Sequence, residues 1–318
     1  MDSESTRKLI EDLSSADPLT RYRAVDALSA RREDDFDAVL NLLAQGNPPQ
    51  RACAAEILGR WRDARAFDRL VAGTQDADVS VRARCVEALG LLDATRAQAS
   101  LLQAADDPHP EVRAWAVNVL GRLKSAATRA ALHAALTDHD GNVRWHAADA
   151  IARREGKRAG ARLLPLLDDA DAGVRALVAE LLGRLRVRAA QARLIALLQD
   201  PDYQVRWRVA DALVALGSQR VGAPLITQLQ HADTGVRWRA AYILGKLRSP
   251  KALQPLIAAL NDADAHVRGR AAEALGSIGD RRALDALRAR ANDSALAGHL
   301  GAVGEIAQAA VEEIEKTK

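Results

Sequence analysis

The 318 residues are 48% hydrophobic and 27% charged but only 3% aromatic, which excludes a disordered chain and favours a thin, extended fold whose interior is Leu, Val, Ile and Ala. Interspersed along the length, 45 Lys and Arg face 42 Asp and Glu for a formal charge of +3, too mild a surplus to imply nucleic acid. No apolar run approaches the ~18 residues of a membrane span, and the opening MDSESTRKLIEDL has acids where a signal peptide needs a basic and then an apolar region, so a cytoplasmic location is expected.

In chain order, the first recognisable unit is DPLTRYRAVDAL, whose Arg21 stands one residue out of step with the later units; Arg51 is the next weak copy. Val-Arg then occurs at 81-82, 112-113, 143-144, 174-175, 205-206, 236-237 and 267-268, a constant step of 31 residues. The same step connects Leu58, Leu89, Leu120, Ile151, Leu182, Leu213, Leu244 and Leu275. Cys53 and Cys85 sit at non-equivalent positions of neighbouring repeats, so both are expected to be free thiols, Cys85 in the core and Cys53 more exposed. About ten such units fill the chain, and a period of this length means a repeat architecture.

Each unit carries two helical signals. The first helix is short and apolar, as in LIALL (194–198), PLITQL (224–229) and PLIAAL (255–260); Pro165, Pro224 and Pro255 should start or bend it. The second helix follows an acidic turn in which Asp78, Asp140, Asp171, Asp202, Asp233 and Asp264 stand three residues before the Val, positioned to cap the first free amides. At the equivalent His109 the next residue is Pro110, a residue favoured at the first helical position. Gly217 and Gly279 let the chain turn at the end. The closing GHLGAVGEI and AQAAVEEIEKTK predict a polar capping helix.

The pattern D-x-D-x-x-V-R-x-x-A-A-x-A-L-G-x-x-G, clearest in DADAHVRGRAAEALGSIG (262–279), resembles the HEAT repeat, in the bacterial variety called PBS-lyase HEAT-like. The resemblance implies an all-α, right-handed α-solenoid of about ten 31-residue helix pairs, with the second helices lining a concave side. A single array over 1–318 is expected, with regular repeats at 36–279 between a divergent N-terminal unit (1–35) and a divergent C-terminal one (280–318). The first Asp of each turn (Asp76, Asp107, Asp138, Asp169, Asp200, Asp262) precedes the Arg of Val-Arg by six residues, and in this family such a pair resembles an inter-repeat hydrogen-bond ladder. His231 replaces the Asp in repeat eight, where the ladder should be weaker.

Helical angles select a candidate surface. At ~100° per residue from Val143, the stripe Ala147, Ala150 and Ile151 is buried, while Trp145, Asp149 and Arg153 fall at ~200–280°, away from it. The equivalent stripe holds Trp207 and Asp211 in repeat seven, Trp238, Tyr242 and Lys246 in repeat eight, Ala83, Ala114 and Gly269 elsewhere, and it is flanked by Trp115, His146, Arg208 and Arg239. Tyr203 lies just ahead of its helix. Exposed Trp, Tyr and Arg on a face that varies while the scaffold repeats are what a binding hot spot needs. The bland alternatives are i, i+4 surface ion pairs (Asp149 with Arg153, Glu180 with Arg184) and rings that cover the next helix or stack on its Arg.

The sequence lacks HExxH, GxSxG, CxxC, a P-loop and GxGxxG, and its histidines are scattered, so no catalytic residues, metal or cofactor are expected. A non-enzymatic adaptor that binds a protein or peptide on the concave face is the first expectation, with Trp145, Trp207, Trp238 and Tyr242 as anchors and Arg153, Arg208 and Arg239 pairing acidic groups. The family name suggests a second, a lyase or chaperone for open-chain tetrapyrroles (bilins), with Asp149 or Asp211 meeting pyrrole nitrogens. The third is nucleic-acid binding, weakened because stripe and flank carry both charge signs.

Overall fold

The computed structural model describes residues 3–217 and 221–316 and is helical throughout, apart from turns and one isolated antiparallel bridge between Leu296 and Ala302. The backbone divides into two compact units, Met1–Arg154 and Glu155–Lys318. In each, pairs of helices stack side by side as in an α-solenoid.

The second helices form where the caps were expected. Asp78, Asp171, Asp202, Asp233 and Asp264 have extended backbones and accept amide hydrogens from the first turn of Val79–Leu92, Ala172–Arg184, Tyr203–Leu216, Thr234–Lys246 and Ala265–Ile278. Asp140 does the same for Asn142 and Val143, and His109 caps the helix that begins at Pro110. Gly217 and Gly279 end their helices at φ of 58° and 77°, the left-handed region that a Cβ disfavours. Pro224 and Pro255 occupy the third positions of Gly222–Gln228 and Leu253–Ala259, where an amide has no intrahelical acceptor to lose, so they start those helices and do not bend them. Pro165 lies in the 3-10 segment Leu164–Asp168.

The repeated valines Val81, Val112, Val143, Val174, Val205, Val236 and Val267 are all 0% exposed. Within the first unit Val79–Leu92 packs between Pro48–Trp61 and Pro110–Leu120; within the second, Ala172–Arg184, Tyr203–Leu216, Thr234–Lys246, Ala265–Ile278 and Val303–Lys316 pack in succession. Close approach explains Gly183: a Cβ there would stand 2.5 Å from Ala212 Cα on the next helix. Cys85 is buried, Cys53 half-buried, and both thiols are free.

The ladder is present, and where a rung is closed it links an Arg to the Asp of the following repeat. Arg82 Nε and Nη2 donate to Asp107 at 2.8 and 3.0 Å, while its Nη1 donates back to the carbonyls of Asp76 and Ala77 at 2.9 and 3.1 Å. The same two-sided grip joins Arg51 to Asp76, Arg113 to Asp138, Arg175 to Asp200 and Arg237 to Asp262. It also joins Arg268 to Asp293, one rung beyond residue 279 and inside the stretch expected to diverge. There the chain turns through Gly298–Leu300 into Val303–Lys316, whose Val303, Ala307, Ala310 and Ile314 are buried. Among the described residues no helix is long and apolar enough to cross a membrane.

Candidate functional site

The expected site residues fall in both units. Trp115, Trp145, His146, Asp149 and Arg153 belong to the first; Tyr203, Trp207, Arg208, Asp211, Trp238, Arg239, Tyr242 and Lys246 belong to the second.

In the first unit Trp115 and Trp145 are half-buried, and the Trp145 ring meets His146 edge-on at 5.0 Å. Burial pushes the His146 imidazole below its usual range, against the opposing pull of Asp149. Asp149 and Arg153 form the ordinary i, i+4 ion pair at 2.9 Å, so Arg153 is not a free cation. The remaining tryptophan, Trp61, is buried: its Nε1 donates to Ser29 O at 2.8 Å and its ring lies 6.0 Å from Phe36.

The second unit gathers the rest into one row of rings. Trp207 lies 5.4 Å from Trp238 and 6.2 Å from Tyr242, the latter edge-on; Trp238 lies 4.9 Å from His266, and His266 6.0 Å from His299. Successive helices contribute because the position two after the repeated Val points along the stacking direction, toward the following second helix. This corrects the helical-wheel reading that the whole stripe faces away from the packed interior. Where the position holds a small residue, as at Ala83, Ala114 and Gly269, it is buried; where it holds the indole of Trp207 or Trp238, the ring meets a ring of the next second helix and is half-buried. Tyr203 is 57% exposed.

The charged residues depart further from expectation. Arg239 is not an outward cation: it is 5% exposed, its Nη1 donates to Gly235 O at 2.8 Å, and its guanidinium lies 4.1 Å from the Trp238 ring centre. Burial first, and then the charge of Arg206, pull it down to about 10. Arg208 pairs with Glu180 at 3.0 Å, so Glu180 reaches the next repeat and not Arg184. Lys246 stands 4.0 Å from Glu273 and 5.5 Å from the Tyr242 ring. Desolvation raises the Tyr242 hydroxyl, with Asp211 adding to it; desolvation also raises the Asp211 carboxyl against the pull of Arg208. Sequence reasoning placed Arg270 on the flank with Arg208 and Arg239 but left it out of the expected site, where it is 5% exposed, lies 5.4 Å from the Tyr242 ring and 5.7 Å from that of Trp238, and donates to Glu273 at 2.8 Å. It also missed His266 and His299, which only the turn after residue 297 brings together.

Residues 36–108, 98–178, 160–231 and 222–298 match the family model for HEAT repeats. The chain belongs to the HEAT-repeat family. Among solved structures this HEAT-repeat protein is similar to an engineered protein (20% identity over 99% of each chain, TM-score 0.50). It is similar to E. coli YibA (20% identity over 90% of this chain and 98% of that one, TM-score 0.52) and to Kap95p (12% identity over 97% of this chain and 49% of that one, TM-score 0.67). These likenesses show the fold. No curated protein sequence matches it.

Proposed function

We propose that this HEAT-repeat protein is a non-enzymatic adaptor that binds a protein or peptide segment across the second-helix face between Tyr203 and His299, with Trp207, Trp238 and Tyr242 as anchors. The observation that carries the reading is the contrast among the tryptophans. Trp61 is a core residue with a satisfied N–H, whereas Trp207 and Trp238 are only half-buried, in a contiguous row with Tyr242 and His266. Large, stiff rings held against one another offer contact area at little entropic cost, the composition of an interface hot spot. The fold supports the reading by analogy: Kap95p, similar in architecture, binds RanGDP.

The nucleic-acid reading loses ground because Arg84, Arg153 and Arg208, cations of the expected stripe and flank, are each paired with a carboxylate. A quantitative pull-down tests the proposal. Partners recovered by the wild type should fall at least ten-fold with a Trp207→Ala, Trp238→Ala, Tyr242→Ala variant and persist with Trp145→Ala. Equal recovery by the triple variant refutes it.

A further inference from the structure

Among the described residues of the second unit, the ladder has one open rung. In place of the carboxylate, the turn before Thr234–Lys246 has His231, whose Nδ1 accepts the Asp233 amide at 3.0 Å. This is the bond that Asp200 takes from the Asp202 amide at 2.9 Å, so the turn is kept while the bidentate acceptor is lost. Arg175 grips Asp200 through Nε and Nη2 at 2.8 and 2.9 Å, and Arg237 grips Asp262 at the same distances. Arg206 is held only through Nη1, by the carbonyls of Asp200 and Pro201 at 2.6 and 2.9 Å. Among the described residues no carboxylate completes its fork. With Nδ1 accepting, the other ring nitrogen of neutral His231 is one more donor.

A second guanidinium is directed to the same helix end. Arg239 folds back onto Gly235, where a Cβ would stand 2.7 Å from its Nη1, and its Nε is buried without an acceptor. The charge of Arg206 is felt at Arg239, and Asp233, which opposes it, is engaged as the helix cap with the Val236 amide at 2.9 Å. A buried guanidinium N–H without an acceptor, as at Arg239 Nε, is costly unless an anion meets it.

We propose that Arg206 and Arg239 bind a carboxylate of an acidic peptide segment, which completes the open rung in trans while the segment runs along the neighbouring rings. The inference rests on the adaptor reading and adds the partner's chemistry. A carboxylate fits because Arg206 is held by the same Nη1 grip that presents its counterparts to Asp side chains on the neighbouring rungs, and such bidentate pairs are the strong ones.

The test is fluorescence anisotropy with three labelled probes: an octaglutamate peptide, an octaglutamine peptide and an octathymidylate. Octaglutamate should bind the wild type and octaglutamine should not. His231→Asp supplies the missing carboxylate from within, so it should weaken octaglutamate at least ten-fold and raise the urea midpoint. Arg206→Gln should weaken binding equally without raising the midpoint. Ala232→Asp, which adds the same charge beside the rung, should leave binding within three-fold. Failure of octaglutamate to bind, undiminished binding by His231→Asp, or equal binding of octathymidylate overturns the proposal. If His231→Asp binds normally while the triple ring variant loses its partners, this inference fails and the adaptor reading stands; the converse result separates them the other way.

Discussion

Deleting one rung of the ladder should cost far more than deleting a surface ion pair of the same residue types. Arg113 donates to Asp138 at 2.8 and 2.7 Å, both side chains are about 15% exposed, and Asp138 also accepts the Asp140 amide at 2.9 Å. A hydrogen bond to a charged group contributes about 1.5–3 kcal/mol, so two could reach about 3–6 kcal/mol; desolvation of both ions offsets several of these. A coupling of about 1–3 kcal/mol remains. Either single variant, Arg113→Met or Asp138→Ala, strands a partly buried charge and should cost about 3 kcal/mol. The Asp149–Arg153 pair, with Arg153 52% exposed, should couple by no more than about 0.5 kcal/mol. Urea unfolding followed by circular dichroism, run as two double-mutant cycles at low and high salt, reads both values. If the Arg113–Asp138 coupling is as small and as salt-sensitive as the Asp149–Arg153 coupling, the ladder does not hold the repeats together.

Gly183→Val should destabilise the second unit by about 2–4 kcal/mol, because the new side chain would meet Ala212 backbone and Cβ at 2.5–3.0 Å and force two helices apart; an unchanged urea midpoint would contradict this. On acidification, burial raises and the Arg and amide hydrogen bonds more than offset it at Asp76, Asp107, Asp138 and Asp262, so these carboxyls titrate below their usual range. Their contribution is therefore complete above the unfolded value near 4 and lost as pH falls through the depressed folded values, and the urea midpoint should hold down to about pH 5 and then drop. A decline centred above pH 6 would point to other groups. Burial pushes the Cys85 thiol up to about 12, so a thiol reagent at pH 8 should label Cys53 first and Cys85 only on unfolding; equal rates would show that the first unit opens readily.

What was legible in the sequence is what depends on short-range geometry. An Asp three residues before a Val fixes a cap whatever surrounds it, and Val205 or Leu213 at helical spacing is buried in any stacked helix pair. The ladder's existence was legible as well, although its partners lie 25 residues apart in successive repeats. The direction of side chains at the seam was not. A single-helix wheel gives Trp207 and Ala83 the same angle, yet one is half-buried and the other fully covered, because the neighbour's residue decides. Glu180 chooses Arg208 over Arg184 for the same reason, and Arg239 turns inward because Gly235 leaves room that no other residue type would. The aromatic row was visible as composition and its extension through His266 and Arg270 was not, since that needs the contact between consecutive helices.

The most direct measurement is the fluorine spectrum of the chain labelled with 5-fluorotryptophan, assigned by single Trp→Phe changes and recorded with and without a purified partner. The Trp207 and Trp238 signals should shift or broaden on binding while the core Trp61 signal stays in place. A partner that binds and leaves the Trp207 and Trp238 signals unmoved would contradict the proposed binding face.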